Sequence, residues 1–407
     1  MRLSKKTVII GLVLLAVTVF MVWRFVRPMN IFVVSPAFER PISTAVIPAP
    51  LQTLRATECA VCHKVFYDEW KTTIHSQAWT DPYFQTDWQF EKSQQICRNC
   101  HTPLDRQQES KVLGFRDKDK WDPILAPNPD FDAKLQHEGV TCAACHVRDG
   151  KILGPYGSTS SPHPVKKLSN PNQVCVRCHV VGGERWDTFF RFPPCGTVAE
   201  IQVSKTKTKT GRTGEAVVPN IAALGCVDCH MPLIKRPIVA GGKVRTTRRH
   251  WWRGGHDPAM VKRALTVRFE ETPVTSVSRR RFSLTITNVG AAHYVPTGTP
   301  DRHFSVELQL LDASGGVIKK QQHLLKRNIL WRPFIIELGD TRLPRYEPRQ
   351  YTIDFKAGAG NRVQAVEAVV RYHLLEEKRR KYINYKNTEP IAYEVFRKRI
   401  SLSSKTK

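Results

Sequence analysis

The chain has 407 residues, of which 63 are lysine or arginine and 36 are aspartate or glutamate, so its formal net charge is +27. Such an excess of positive charge is typical of proteins that bind nucleic acid. No nucleic-acid-binding motif is present in the sequence, however, and we expect no nucleic acid partner. Ten of the eleven cysteines fall in one repeated motif, which excludes a framework of disulfide bonds.

The first predicted element is an N-terminal transmembrane anchor over residues 1–27. An uncharged run, TVIIGLVLLAVTVFMVW, spans Thr7 to Trp23 and is closed by Arg24 and Arg27. Its length is at the short end of the roughly 17 to 25 residues that cross a bilayer. A cleaved secretory signal is the alternative, but no A-x-A-like site follows the run. The basic amino end places the remainder on the periplasmic side of the inner membrane.

The next segment, 28–54, contains five prolines and little periodicity. Proline favours extended chain, so the segment is predicted to be a tether between the membrane and a globular domain.

Five Cys-x-x-Cys-His motifs dominate the following segment. A single copy could be a zinc half-site or a redox disulfide, but a histidine directly after every second cysteine is the attachment signature of a c-type haem. The thiols would bond to the porphyrin, and the histidine would be the proximal iron ligand. We therefore predict five covalently attached haem c groups, held by Cys59, Cys62 and His63, by Cys97, Cys100 and His101, by Cys142, Cys145 and His146, by Cys175, Cys178 and His179, and by Cys226, Cys229 and His230.

Residues 55–264 are thus predicted to be a pentahaem cytochrome c domain of short helices and long loops. So little polypeptide per cofactor cannot build an ordinary apolar core, and we expect the porphyrin faces to supply much of the buried surface. The eleventh cysteine, Cys195, is predicted to be a small buried thiol in a loop.

The sixth ligand of each iron decides between electron transfer and catalysis. Five histidines outside the motifs fall in the haem domain, which equals the number of sixth positions. We predict bis-histidine coordination at all five irons, with these distal ligands: His75, His137, His163, His250 and His256. Met260 is a thioether alternative. A further histidine, His293, follows a predicted strand in a turn-rich loop and could lean against a haem, whereas His303, His323 and His373 are expected to be surface or core side chains.

From Leu265 the pattern changes to alternating apolar residues between Gly, Pro, Asn and Asp, which is typical of short antiparallel strands. Residues 265–395 are predicted to form a β-sandwich-like domain, and 396–407 a basic tail. The fold class is therefore α+β and multidomain.

The segments CHKVFYDEWKTTIHSQAW, EGVTCAACH and GCVDCHMP resemble the multihaem cytochrome c family that includes the tetrahaem electron carrier of ammonia oxidisers and the haem core of hydroxylamine oxidoreductase. The resemblance covers about residues 55–260. It implies a mainly helical scaffold with closely packed haem pairs, in which His75, His137 and His163 are distal ligands to other haems.

Together these features predict a membrane-anchored periplasmic cytochrome that relays electrons between a membrane-side donor and a soluble or outer-membrane acceptor. About ten propionates and five ferric cores would leave a net charge of roughly +17 to +22, which favours an acidic redox partner and anionic lipid. One alternative is a multihaem oxidoreductase that acts on a small nitrogen or sulfur compound at an open haem. Another is a haem subunit of a larger respiratory complex or filament, docked through the β-domain.

Overall fold

The computed structural model describes residues 4–26, 30–157, 160–179, 181, 185–210, 225–275, 278–356 and 362–402. These residues form a mixed α and β structure with one long N-terminal apolar helix. The helices are α1 (Lys5–Val26), α2 (Ala56–Trp70), α3 (Pro82–Phe90), α4 (Gln95–His101), α5 (Ala133–His137), α6 (Cys142–His146), α7 (Asn172–His179), α8 (Thr197–Thr210), α9 (Cys226–His230), α10 (Pro258–Ala264) and α11 (Glu377–Tyr382), with a 3-10 turn at Asp105–Gln107.

Helix α1 is long and apolar enough to cross a membrane, a property that anchors share with signal sequences. Most of its surface is exposed.

In the described residues of the motif-bearing region, the sheets are short. Two are hairpins, β1 (Ser110–Phe115) with β2 (Pro123–Pro127) and β7 (Leu233–Pro237) with β8 (Val244–Arg248). A third sheet joins β3 (Val147–Arg148), β4 (Lys151–Gly154) and β5 (Val165–Lys167). Helices of five to fifteen residues and these ribbons are joined by loops, as the sequence predicts for this region.

Two larger antiparallel sheets follow. One has the order β15-β10-β9 and the other β12-β11-β16-β17. Their strands are β9 (Leu265–Thr272), β10 (Arg279–Asn288), β11 (His303–Leu311), β12 (Val317–Leu325), β15 (Arg349–Lys356), β16 (Ala365–His373) and β17 (Ala392–Ser401).

The alternating residues that predicted these strands form a core shared by both sheets. Phe282, Leu284 and Ile286 of β10 and Phe304 and Leu308 of β11 are fully buried in one cluster. Because successive side chains of a strand point to opposite faces, the sheets bury one face each against the other.

The first half of the predicted basic tail, 396–401, is in fact strand. Phe396 pairs with Val370 of β16, and β17 runs on to Ser401. Val395, Phe396 and Ile400 pack against the sandwich core. The run Arg397, Lys398 and Arg399 between them obscures this apolar pattern in the sequence. Residues 403–407 of the predicted tail lie outside the described residues.

The proline-rich segment is also more tightly packed than a tether would be. Val34 and Phe38 are buried in a cluster with Ile96 and Trp121, and Ile42 and Leu54 are buried in a second cluster. The side-chain amide of Asn99 donates hydrogen bonds to the carbonyls of Phe38 and Glu39. Apolar residues spaced between the prolines thus hold the segment against the helices that carry the motifs.

A small sheet connects the two parts of the chain. It contains β13 (Arg327–Leu330), β14 (Ile335–Asp340) and, from the motif-bearing region, β6 (Thr188–Phe189), which pairs in parallel with β14.

Candidate haem-binding sites

Each Cys-x-x-Cys-His motif lies on a helix. The motif histidine is the last residue of α4, α6, α7 and α9, and in α2 the helix kinks at His63, where φ is −106° and ψ is 40°. Cysteines three residues apart share one face of a helix, so both thiols can reach the same porphyrin edge. The following histidine is then close to the plane that the thiols define.

All five motifs open onto one cavity of about 4200 Å³. Its wall includes all ten motif cysteines, the five motif histidines and five further histidines: His75, His163, His250, His256 and His293. Divided by five, the volume is about 840 Å³ per motif, within the range of about 300–1,000 Å³ that is usual for one ligand pocket. A continuous cavity of this size fits five neighbouring cofactors.

The orientation of the motif rings fits metal binding. In four motif histidines Nδ1 lies within hydrogen-bond distance of a backbone carbonyl: His63 with Ile238 at 3.1 Å, His101 with Ala78 at 2.6 Å, His146 with Leu153 at 2.7 Å and His230 with Arg253 at 2.7 Å. A proton held on Nδ1 by a carbonyl leaves Nε2 free of hydrogen. This is the usual arrangement of a metal-ligating histidine.

Four motif histidines face a second imidazole across the cavity. A ligating imidazole nitrogen lies about 2.0–2.1 Å from a bound metal, so two rings on opposite sides of one ion have centres about 6 Å apart. The observed centre-to-centre distances are 6.4 Å for His63 and His163, 5.9 Å for His146 and His250, 6.4 Å for His179 and His75, and 6.4 Å for His230 and His293. The four pairs fit bis-histidine coordination of four irons.

Burial also favours the ligating form of these rings. It lowers the pKa of His75 to about 3 and that of His250 to about 4, and it lowers the pKa of His146, His179 and His293 as well. A histidine must be neutral to bind a metal, so these rings need no deprotonation at neutral pH.

Two of the five predicted distal ligands, His137 and His256, do not face a motif histidine as His75, His163 and His250 do. His137 is exposed, its Nδ1 lies 2.9 Å from the carbonyl of Ala133 on its own helix, and it does not line the cavity. Helix α5 turns the ring toward solvent because Leu135 and Gln136 occupy its buried face. His293, from the loop after β10, takes the place opposite a motif histidine. Its position after a strand in a turn-rich loop was the one sequence signal for this role.

His256 lines the cavity without facing a motif histidine in the way the four paired rings do. Its Nε2 lies 3.5 Å from a guanidinium nitrogen of Arg302. The thioether alternative, Met260, accepts a hydrogen bond at 3.0 Å from Arg263.

The remaining motif histidine, His101, has a different neighbour. Its ring stacks on Phe84 with centres 3.5 Å apart and planes 7° from parallel. Phe84 is on α3, which begins at Pro82 after the N-cap Asp81. Among the described residues, His101 is therefore the motif histidine without a second imidazole at pairing distance.

A group of ionisable side chains lies on the same part of the cavity wall. The Tyr83 hydroxyl donates to Asp301 at 3.2 Å, and Arg379 pairs with Asp87 at 2.6 Å. Burial raises the pKa of Asp301 to about 6 and raises that of Tyr83, while it lowers the pKa of His256 to about 4. These groups connect α3 to the first residues before β11 and to α11.

Side-chain interactions between cysteines of different motifs give the spatial order of the motifs. The thiol of Cys59 interacts with that of Cys142, and the thiol of Cys100 with that of Cys178. A third contact joins Cys175 to Cys226. The third and fourth motifs are also neighbours, through Cys145 and Cys178. The first motif therefore lies beside the third, and the third lies beside the fourth. The second and fifth motifs both lie beside the fourth.

Within the described residues, no three His, Cys, Asp or Glu side chains converge as they would around a bound metal ion. A zinc site requires about four protein ligands, whereas a haem iron takes two. The four facing imidazole pairs supply the two ligands that a haem iron takes. Cys195 also lines the cavity, and burial raises the pKa of its thiol, which disfavours a reactive thiolate.

No protein-family model matches the chain, and no curated protein sequence matches it. Among solved structures, a penta-haem cytochrome c552 from Thermochromatium tepidum has a TM-score of 0.59 and 19% sequence identity. The match covers 86% of this chain and 98% of that chain. The two proteins therefore share a multihaem-cytochrome-like fold.

A putative ApaA protein from Bordetella pertussis is also similar over 35% of this chain and 95% of its own, with 17% identity and a TM-score of 0.19. A score this low carries no structural argument. The resemblance to the proteins of ammonia oxidisers stays a prediction.

Proposed function

We propose that the chain is a pentahaem c-type cytochrome that transfers electrons, anchored by α1 and facing the periplasm. The observation that carries this proposal is the set of four histidine pairs with ring centres 5.9 to 6.4 Å apart. Haem bound between such rings supplies one-electron redox chemistry without a free coordination position. The shared fold with a penta-haem cytochrome supports the same conclusion.

The residues of this chain would perform three tasks. The cysteines hold the porphyrin edges, and the backbone carbonyls of Ile238, Ala78, Leu153 and Arg253 orient the proximal rings. The contacts of α2 with α6 and of α7 with α9 place neighbouring motifs side by side. Arginines on the cavity wall offer charge-assisted hydrogen bonds to propionates, among them Arg245, Arg253 and Arg302.

The test is to export the full chain in a host that attaches haem c and to measure its intact mass and its reductive titration. Five haem increments and uptake of five electrons per chain are the expected results. Fewer increments would contradict the haem count, and electrons taken up by a thiol pair instead of haem would indicate a disulfide redox protein.

A second candidate function is oxidoreductase chemistry on a small molecule at the second motif. It is favoured by the different environment of His101, which has Phe84 against its ring and no second imidazole at pairing distance among the described residues. Nearby Tyr83, Asp301, His256 and Arg302 could hold and orient a small polar molecule and exchange protons with it.

Carbon monoxide distinguishes the two functions. Binding of one carbon monoxide per reduced, native chain would favour the enzyme, because it requires an accessible sixth position. No binding at all would favour electron transfer alone and would require another ligand opposite His101.

The acceptor is proposed to be an acidic protein. The chain keeps a large positive charge after haem is counted, and complementary charge accelerates encounter between redox partners.

A further inference from the structure

The membrane end of α1 is fixed to the globular part of the chain by a buried ion pair. A guanidinium nitrogen of Arg24 lies 2.8 Å from the carboxylate of Asp187, and the two side chains are 3% and 0% exposed. Arg185 contacts the same carboxylate at 3.1 Å and also pairs with Asp119 at 2.9 Å. Removal of one partner of a buried pair is strongly destabilising, so this contact fixes where the helix leaves the body.

An exposed apolar face lies next to this junction, on the small sheet β13-β14-β6. In the strand register, Leu330 pairs with Ile336, and Ile336 pairs with Phe189, so the three share one row and one face. Phe189 is 57% exposed and Leu330 is 42% exposed, which is unusual for large apolar residues on a sheet. We call this surface, with the adjacent Trp186, the Phe189 face.

The position along α1 at which the globular part of the chain contacts the helix indicates how deep the Phe189 face would lie in a bilayer. Phe20 lies against Trp186 at 6.5 Å and Phe334 at 6.4 Å between ring centres. Phe20 is four residues before Arg24, so the body meets the helix about 6 Å closer to the membrane centre than the charged end. Elements that lie in the bilayer interface are typically buried by about 5–10 Å.

The length of the apolar run is consistent with this depth. The uncharged residues from Thr7 to Trp23 span about 26 Å at about 1.5 Å per residue. A typical hydrocarbon core is about 30 Å thick, so the helix alone is a few ångströms short. Tryptophan favours the headgroup level of a membrane, and Trp23 and Trp186 are both exposed at this end of α1.

We propose that the Phe189 face lies in the headgroup region of the same phospholipid bilayer that α1 spans. The inference rests on the proposed anchoring by α1 and deepens it, because a helix alone would leave the body free to tilt. Contact through both α1 and the Phe189 face sets the orientation of the cavity relative to the membrane. A lipid surface explains why the apolar residues adjoin the helix end, where they would otherwise face water.

The test uses the full holoprotein in phosphatidylethanolamine and phosphatidylglycerol nanodiscs that contain a phospholipid with a photoactivatable acyl chain. After illumination, labelled peptides are mapped by mass spectrometry. Labels are expected in α1, in the peptide with Trp186 and Phe189, and in the peptide with Leu330. The peptide from Val317 to Leu324 is the internal control, because its apolar residues are also exposed but lie on β12.

A variant pair makes the test specific. Phe189→Ser with Leu330→Ser should reduce labelling of the Phe189-face peptides by about tenfold, since apolar surface that favours the interface is lost. The matched control, Ile318→Ser with Leu324→Ser, should leave that labelling unchanged.

The outcomes separate the inference from the anchoring on which it rests. A mature protein that begins after α1 would overturn the anchor and the inference together. A labelled α1 with unlabelled Phe189-face peptides would overturn the inference alone and leave the anchor intact.

Discussion

At the scale of single residues, the choice of distal ligand depends on tertiary position. His137 precedes a motif by five residues, whereas His293 comes from a loop between strands of the sandwich. The sequence indicates that histidines are required, but it does not show that Leu135 and Gln136 fill the buried face of α5 and leave His137 in solvent. The motif histidines, in contrast, are recognisable from the chain alone because their role is fixed by their neighbours in sequence.

His293→Ala and His137→Ala form a direct comparison. Loss of the imidazole opposite His230 should convert one low-spin ferric haem into a high-spin one and allow carbon monoxide to bind it on reduction. The His137→Ala spectrum should match that of the unmodified chain. The measurement is electron paramagnetic resonance with a carbon monoxide difference spectrum. High-spin haem in the His137 variant and none in the His293 variant would contradict the assignment.

Asp301 should make stability depend on pH. Burial raises its pKa to about 6, above the value of about 3.9 in an unfolded chain. The buried, protonated form of Asp301 therefore contributes fully to the free energy of unfolding below about pH 4. This contribution is lost as the pH rises to about 6, where the buried carboxylate must ionise. Asp301→Asn should remove this decline, which corresponds to up to about 3 kcal/mol. Urea unfolding at pH 4 and pH 7 measures it, and equal pH dependence in both proteins would contradict the assignment.

At the scale of elements, the sandwich was predictable because its strands alternate cleanly and its turns carry Gly, Pro, Asn and Asp. The last strand was not, since three consecutive basic residues interrupt the apolar pattern of β17. In the predicted tether, 28–54, the described residues from 30 onward pack more closely than the sequence suggested. Prolines suggested free extended chain, but Val34, Phe38, Ile42 and Leu54 are spaced to pack on the motif helices.

The sandwich core can be tested with Leu308→Ala. Leu308 is fully buried between the two sheets, and truncation of such a leucine typically costs about 2–5 kcal/mol. Leu324→Ala, on the exposed side of β12, should change the free energy of unfolding by less than about 0.5 kcal/mol. Chemical denaturation of both variants measures the difference. Equal losses would mean that the sheets do not share the core described above.

At the scale of the whole molecule, the five motifs enclose one cavity that no single motif predicts. The spacing of the motifs along the chain is irregular, and their spatial order depends on contacts such as those of Cys59 with Cys142 and of Cys175 with Cys226. The β-sandwich region contributes His293 and Asp301 to the wall of this cavity. This contribution depends on long-range packing, which the periodicity of the sequence does not predict.

Charge should control association with an acidic electron acceptor. Because the chain carries a formal charge of +27, its second-order rate with a small acidic redox protein should fall by about tenfold or more between low and high salt. Stopped-flow absorbance measures this rate, and reduction by an uncharged small molecule is the control that should be insensitive to salt. A rate that stays constant or rises with salt would argue against an acidic partner.

Four of the five haem irons should be bound by two imidazoles, in the pairs His63 with His163, His146 with His250, His179 with His75 and His230 with His293. Electron paramagnetic resonance of the oxidised holoprotein, with spins counted against the haem number from intact mass, tests it most directly. At least four low-spin bis-imidazole centres per chain are expected. Three or fewer such centres would contradict it.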